Sequence, residues 1–209
     1  MRSLLTASLP LLLALPACGS SNSSKDVVDD ASARTELQGT WTDACHAPNR
    51  LADVLKTGFA QDRYEFGLLQ NRFTRTLSVY SDAACSKPGF TETIEGGYTV
   101  IGDGPDIDGG RPINYTLTKA TINPQTAAAV DALNVVSYCG VKDWALNQAK
   151  EVTNKTCALQ QFKNGDVVFD IFRVENKQLT MGKTSFFADG SSGQARPTER
   201  NKDLAFTKK

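Results

Sequence analysis

Apolar and polar residues alternate with a period of two through most of the chain after residue 37. In the segment 73–79, Phe73, Leu77 and Val79 fall on one face of an extended chain, and threonine and serine fall on the other. This period is typical of a β-strand with one buried face. It recurs often enough to predict about eight strands, most of them joined as hairpins, and therefore an all-β fold, an antiparallel meander barrel or sandwich.

Short turns separate the predicted strands, which lie at 38–46, 62–70, 73–83, 90–102, 111–122, twice within 166–183, and at 203–209. Asn71 and Arg72 suit a two-residue hairpin turn. The residues from Glu175 to Lys177 suit a second turn, because asparagine tolerates the backbone angles of turns.

One segment breaks the alternation. After Pro124 the chain is rich in alanine, and Val130, Leu133 and Val136 are spaced to line one face of a helix. Proline suits the first turn of such a helix, and residues 142–150 predict a second helical turn or a short helix. We therefore expect a helical insertion at about 124–150 that caps one end of the sheet.

The first residues have the parts of an export signal: Arg2, an apolar run from Leu4 to Leu15, and small residues before a cleavage site. The apolar run is too short to span a bilayer as a permanent helix. Residues 19–33 are mainly serine, asparagine, aspartate and lysine, a composition that predicts a disordered tether.

Leu15, Pro16, Ala17 and Cys18 resemble the lipobox of bacterial lipoproteins. The resemblance implies that the Cys18 thiol carries a diacylglycerol, that the signal is cut after Ala17, and that acyl chains anchor the protein to a membrane. Gly19 implies the outer membrane as the default destination in the cell envelope. An ordinary secretory signal with a chance cysteine is the alternative, and it also predicts export.

These features divide the chain into a lipoprotein signal peptide (1–17), a lipidated N-terminus with a disordered tether (18–36), and one folded domain (37–209). Lysine plus arginine equals aspartate plus glutamate, with 23 of each, so no net field attracts nucleic acid or an anionic membrane surface. We expect the lipid to be the only link to the membrane, and we identify no protein partner.

With Cys18 lipidated, an even number of cysteines remains in an exported chain, which predicts two disulfides. Three pairings are possible, and we prefer Cys45 with Cys85 and Cys139 with Cys157, since each pair joins nearby segments. A metal site is disfavoured, because no two cysteines stand two to four residues apart.

Catalysis and cofactor binding find little support. His46 is the only histidine, and the chain has neither a Gly-x-Ser-x-Gly motif nor a glycine loop for phosphate. Asp103, Asp106 and Asp108 lack the spacing of a helix-flanked calcium loop and suit a turn. We expect a protein that is not an enzyme and holds no cofactor or metal.

Gly39, Thr40 and Trp41 resemble the opening motif of lipocalins, in which the tryptophan closes the barrel floor under an arginine from the final strands. The resemblance implies a lipocalin-like barrel whose floor is formed by Gly39 and Trp41, with Arg173 stacked on the indole ring. The chain from 37 to 209 is also similar to a group of uncharacterised bacterial lipoproteins, through GTWTDAC, YSDAACSKP, YCGVKDW and RPTERNKDLAFTKK.

A barrel of about eight strands is either filled by side chains or holds one small ligand. The residues expected inside, where they either fill the core or line a ligand, are Tyr64, Phe66, Phe73, Arg75, Leu77, Tyr115, Phe169 and Ile171. An ordinary filled core, with Arg75 near a rim, is the simpler interpretation. The leading functional hypothesis is a membrane-anchored lipoprotein that binds a small apolar or amphipathic ligand.

A second hypothesis is an envelope structural or interaction module without an internal ligand. It would recognise a protein or glycan through exposed aromatic side chains, because aromatic residues concentrate binding energy at interfaces. Trp144, Phe186 and Phe187 are the candidate contact residues.

Overall fold

The computed structural model describes residues 30–47, 59, 61–102, 105–157, 160–185 and 189–209. The helices are α1 (Ala31–Leu37), α2 (Ala127–Val135) and a short 3₁₀ helix (Tyr138–Gly140). The strands are β1 (Gly39–Thr42), β2 (Gln61–Leu69), β3 (Arg72–Tyr80), β4 (Pro88–Val100), β5 (Arg111–Pro124), β6 (Lys150–Glu151), β7 (Thr156–Cys157), β8 (Gln160–Gln161), β9 (Val167–Glu175), β10 (Gln178–Gly182) and β11 (Arg200–Lys208).

Eight antiparallel strands form a closed ring. The order around it is β4, β3, β2, β1, β11, β10, β9, β5, and β5 pairs again with β4. The short strand β6 pairs antiparallel with β5 near residues 121–122, and β7 pairs with β8 outside the ring. The predicted antiparallel β-fold of about eight main strands is confirmed at this level.

The ring is closed by strands from opposite ends of the folded region. Trp41 of β1 lies opposite Lys208 of β11, and Thr42 lies opposite Thr207. On its other side β1 pairs with β2, with Trp41 opposite Phe66. The short first strand therefore sits between the longer strands β2 and β11.

The inner face of the ring contains most of the core. On β3 the buried residues are Phe73, Leu77 and Val79, as the alternation predicts. Residues opposite each other in an antiparallel pair point to the same face of the sheet. The cross-strand partners therefore show which side chains of β2, β4, β5 and β9 share the interior with those of β3.

The hairpin turn between β2 and β3 lies one residue earlier than predicted. Strand β3 already begins at Arg72, so Gln70 and Asn71 make the turn. Gln70 has a φ of 57°, and its N–H donates to Oε1 of Gln38 at 2.9 Å. The second predicted turn is confirmed, since Asn176 and Lys177 connect β9 to β10 with φ values of 51° and 62°.

The end of the predicted tether is a helix. Asp30 caps α1 by accepting from the N–H of Ala33 at 3.0 Å, and its own N–H donates to the carbonyl of Val100 at 3.1 Å. Ala33 and Leu37 are fully buried. The predicted boundary between the tether and the folded domain, at residue 36, therefore lies too far along the chain, because the ordered structure already includes α1. The signal peptide, Cys18 and the tether up to residue 29 lie outside the described residues.

Only the first part of the predicted helical insertion is helical. Thr126 caps α2 through its hydroxyl, which accepts from the N–H of Ala129 at 3.1 Å. Residues 141–149 form turns and irregular structure, so the second predicted helix is wrong. The side-chain amide of Asn134 explains the difference, since it accepts from the Trp144 N–H at 2.9 Å and donates to the Trp144 carbonyl at 3.1 Å. These bonds hold this segment against α2 without helical hydrogen bonds.

Candidate ligand-binding site

Two adjoining cavities lie on the inner face of the ring. The smaller, of about 100 Å³, is lined by Phe66, Phe73, Arg75, Ile94, Tyr115, Leu117, Val168 and Asp170. The larger, of about 160 Å³, is lined by Tyr64, Phe66, Arg75, Asp170, Met181, Gly182, Thr184, Asn201, Leu204 and Phe206. Phe66, Arg75 and Asp170 belong to both. The two spaces thus adjoin the same arginine and the same aspartate.

Arg75 projects from β3 into this interior. It lies opposite Phe66 of β2 and Ile94 of β4, so the alternation that buries Phe73 and Leu77 also turns the guanidinium inward. Its Cζ lies 5.6 Å from the centre of the Tyr64 ring. The side chain is 29% exposed, and its Nη2 is 3.8 Å from Oε1 of Glu92. This loose ion pair leaves the guanidinium N–H groups facing the cavities.

Glu92 of β4 is the nearest acidic partner of Arg75. It is buried, and burial raises the pKa of its carboxyl, while the positive charge of Arg75 partly offsets that effect. A buried carboxylate is costly unless a cation compensates it. Arg75 therefore provides the positive charge that compensates Glu92. The 3.8 Å between Nη2 of Arg75 and Oε1 of Glu92 is too long for a hydrogen bond.

Asp170 of β9 is the second charged group shared by the cavities. Its Oδ1 accepts from the backbone N–H groups of Ile171 at 2.7 Å and Gly182 at 2.9 Å. Burial raises the pKa of this carboxyl to about 6, against the opposite effect of the two N–H groups, Arg196 and Arg75. Asp170 therefore changes charge near neutral pH.

Sequence reasoning missed Asp170, although a signal for it exists. Val168, Asp170 and Phe172 occupy alternate positions of β9, so a carboxyl lies between two apolar residues on one face of the strand. Ile113 of β5 lies opposite Asp170 and is fully buried. A lone acidic residue at a core position is the pattern that indicates a functional or paired group.

Tyr115 completes the polar side of the smaller cavity. Its ring packs edge-on against Phe73, with 4.9 Å between centres, and its hydroxyl donates to Sδ of Met181 at 3.9 Å. Burial, with a contribution from the charge of Asp170, raises the pKa of this phenol well above its ordinary value. Tyr115 is thus neutral over the whole range in which Asp170 titrates.

Most of the predicted lining residues are on the inner face, but two on β9 are not. Tyr64, Phe66, Phe73, Arg75 and Tyr115 line the cavities, while Leu77 is buried beside them without lining either.

Phe169 and Ile171 point to the outer face, because they lie opposite Asn114 and Pro112 and alternate with Asp170. Arg196 covers the Phe169 ring from outside, with its Cζ 5.4 Å from the ring centre. Phe169 and Ile171 are therefore removed from the set of ligand-lining residues.

The predicted contact between Arg173 and Trp41 is also wrong. Arg173 alternates with the inward-facing Phe172, so it points outward, where it donates to the carbonyl of Gly109 at 2.9 Å. Lys208 takes the position over the indole, with Nζ 5.1 Å from the ring centre. Trp41 itself is buried, and its Nε1–H donates to the carbonyl of Leu37 at 2.8 Å. Helix α1 and β11 thus cover Trp41.

Two disulfides, Cys45–Cys85 and Cys139–Cys157, are the pairs preferred from the sequence. The first lies beside β3, and the second ties the 3₁₀ helix to β7. Such bonds persist in oxidising compartments. They therefore indicate a protein that folds outside the reducing cytosol.

Of the three aromatic residues in the interaction hypothesis, the structure describes only Trp144, and it is buried. Trp144 is only 3% exposed, because Asn134 holds its backbone against α2. Its assignment as an exposed contact residue is wrong. Phe186 and Phe187 lie outside the described residues.

His46 and the acidic turn have structural partners. Nε2 of His46 lies 3.0 Å from Oδ2 of the buried Asp43. Asp108 pairs with Lys202 at 3.1 Å and accepts from the backbone N–H of Arg200 at 3.0 Å. Asp106 is exposed, and Asp103 lies outside the described residues. Within the described ranges, no three His, Cys, Asp or Glu side chains are grouped to hold a metal ion.

No protein-family model matches the chain, and no curated protein matches it. None of the helices in the described part of the chain has the length and apolar character needed to cross a membrane.

Proposed function

We propose that the protein binds one small amphipathic molecule inside the eight-strand ring, which we interpret as a lipocalin-like barrel. The observation that carries this proposal is the pair of adjoining cavities that share Phe66, Arg75 and Asp170. Ligand sites are typically apolar clefts in which a few polar groups orient the ligand. Aromatic and aliphatic walls around one arginine and one aspartate match that description.

The cavity sizes limit the ligand. An apolar cavity of about 150 Å³ in another protein holds a molecule the size of benzene, and the larger cavity here measures about 160 Å³. Sites for drug-sized ligands are roughly 300–1,000 Å³. The ligand proposed here is therefore a single ring or a short chain with a polar group, and a long-chain lipid would be too large.

The apolar part of the ligand would contact the side chains that line only one cavity. Leu117 and Ile94 provide such surface in the smaller cavity, and Leu204 and Phe206 provide it in the larger one. Removing apolar surface from water contributes roughly 25 cal/mol per Å². The shared residues between the cavities then provide orientation, and we propose binding without catalysis.

Titration with toluene, followed by NMR spectra of the backbone amides, tests this proposal. Binding should shift the amides of β3, β9 and β10 and leave those of α2 unchanged. Leu204→Trp fills the larger cavity and should abolish or weaken these shifts at least tenfold. Leu146→Trp, at a half-exposed position outside the ring, is the matched control and should bind as the wild type does. No binding, or equal binding by Leu204→Trp, contradicts the proposal.

The proposal also includes a location. We place the protein in a bacterial cell envelope, anchored through a lipid on Cys18 and by default in the outer membrane, because of the lipobox resemblance. The disulfides support an oxidising compartment. Mass spectrometry of the N-terminal peptide should find a diacylglycerol and an acylated amine on Cys18. Cys18→Ser should release the protein from the membrane fraction, and an unmodified Cys18 contradicts the anchor.

A further inference from the structure

We propose that the polar group of the ligand is uncharged and carries both a hydrogen-bond donor and an acceptor, a carboxamide being the simplest case, held between Arg75 and Asp170. This inference rests on the proposed function and names the chemical class that the same site selects. It concerns the one pair of charged side chains that lines both cavities.

Arg75 and Asp170 approach the site from different strands and keep free polar atoms. They form no ion pair with each other among the ion pairs of the described residues. Both hydrogen bonds of the Asp170 carboxylate in that part of the chain go to Oδ1, which leaves Oδ2 for a ligand. Among the described residues, Arg75 makes the loose contact with Glu92 and lies over the face of Tyr64, so its N–H donors remain available to a ligand within that part of the chain.

A charged polar group on the ligand would be attracted by one of these two side chains and repelled by the other. A carboxylate suits the planar guanidinium of Arg75, but it would be repelled by Asp170. An ammonium group suits Asp170 and would be repelled by Arg75. Opposition of like charges is a general source of specificity.

A carboxamide meets both requirements without a net charge. Its carbonyl oxygen accepts from Arg75, and its NH₂ donates to Oδ2 of Asp170, so each polar atom of the ligand has a partner. A buried polar group without a partner is costly. An apolar ring attached to the amide would extend into either cavity.

The other titratable groups near Asp170 do not change this preference. Tyr115 is neutral, with its hydroxyl directed to Met181. Arg196 lies on the outer face, where it donates to the carbonyl of Ile113 at 2.9 Å and to Oδ1 of Asn114 at 2.8 Å. The positive charge of Arg75 and the negative charge of Asp170 therefore dominate the inner face at neutral pH.

Benzamide, benzoate and benzylamine share one ring and differ in the polar group, so they test the inference on the full chain. By NMR titration at pH 7.5, benzamide should bind at least tenfold more tightly than either of the others. At pH 5 the carboxyl of Asp170 is mostly protonated, since its pKa is about 6. Benzoate should then bind at least threefold more tightly than at pH 7.5.

Two variants separate the roles of the charges. Asp170→Asn should tighten benzoate binding at pH 7.5 at least fivefold and remove most of its dependence on pH. Arg75→Lys keeps the charge but loses the planar group, and it should weaken benzamide and benzoate alike.

Benzoate or benzylamine binding as tightly as benzamide at pH 7.5 overturns the inference. If toluene binds and all three polar ligands fail, the inference is wrong and the proposed function stands. If toluene also fails to bind, both are wrong.

Discussion

Replacing Asp170 by asparagine should stabilise the protein at neutral pH. Asparagine keeps the shape of the side chain, and its Oδ1 can still accept from the N–H groups of Ile171 and Gly182. The folded protein raises the pKa of Asp170 from 3.8 to about 6. A shift of this size corresponds to about 3 kcal/mol of destabilisation of the charged form.

The sign of the effect depends on pH. Below pH 3.8 the carboxyl is protonated in the folded and unfolded states alike, and the variant has no advantage. Between pH 3.8 and about 6 the unfolded chain has lost this proton while the folded state still holds it, so the wild type loses stability over that range and then stays at the lower value. Because a neutral amide accepts weaker hydrogen bonds than a carboxylate, we expect a net gain of about 1–3 kcal/mol at pH 8.

Urea unfolding at pH 4, 5, 6, 7 and 8, followed by tryptophan fluorescence, measures this difference. The gain of Asp170→Asn in the free energy of unfolding should be near zero at pH 4 and reach its full value by pH 7–8. Asp131→Asn, on the exposed face of α2, is the matched control and should change stability by about 0.5 kcal/mol or less. An equal effect at pH 4 and pH 8, or a loss of stability at pH 8, refutes the reasoning.

Three further predictions concern the frame of the site. Gly96→Ala should destabilise by about 1–3 kcal/mol in urea unfolding, because a Cβ there overlaps a backbone carbonyl of β5; an unchanged midpoint contradicts this. Lys208→Met should change the fluorescence of Trp41, whereas Arg173→Met should not, and the opposite result would restore the predicted arginine stack. Replacing both Cys139 and Cys157, which are 18 residues apart, by serine should lower the free energy of unfolding by about 3 kcal/mol. An unchanged thermal unfolding curve for this double variant contradicts the prediction.

The long strands could be predicted from the sequence because one face of each is clearly apolar. On β3 the spacing of Phe73, Leu77 and Val79 identifies the buried face without any knowledge of neighbouring strands. Helix α1 could not be predicted in this way, because a seven-residue helix is not stable on its own. It depends on the Asp30 cap and on the burial of Leu37 against the ring.

The sequence predicts the side of the candidate site that β3 provides, but it does not predict the side that β9 provides. Its central residues, Phe169 to Phe172, are apolar on both faces except for Asp170. Periodicity cannot then tell which face is inside, and the register with β5 decides it. A one-residue shift exchanges the two faces, which is why Phe169 was expected inside and Asp170 was overlooked. Arg75 was predictable, because it shares a face with Phe73.

The pairing of β1 with β11 has a consequence for the order in which the molecule can be assembled. A ribosome makes Trp41 early and Lys208 late, yet the two must lie side by side. A nascent chain that stops before β11 leaves β1 and β10 as open sheet edges, which readily pair with other chains and aggregate. Because contacts between distant parts of a chain form slowly, these two edges stay open to such association until β11 is available to pair with them.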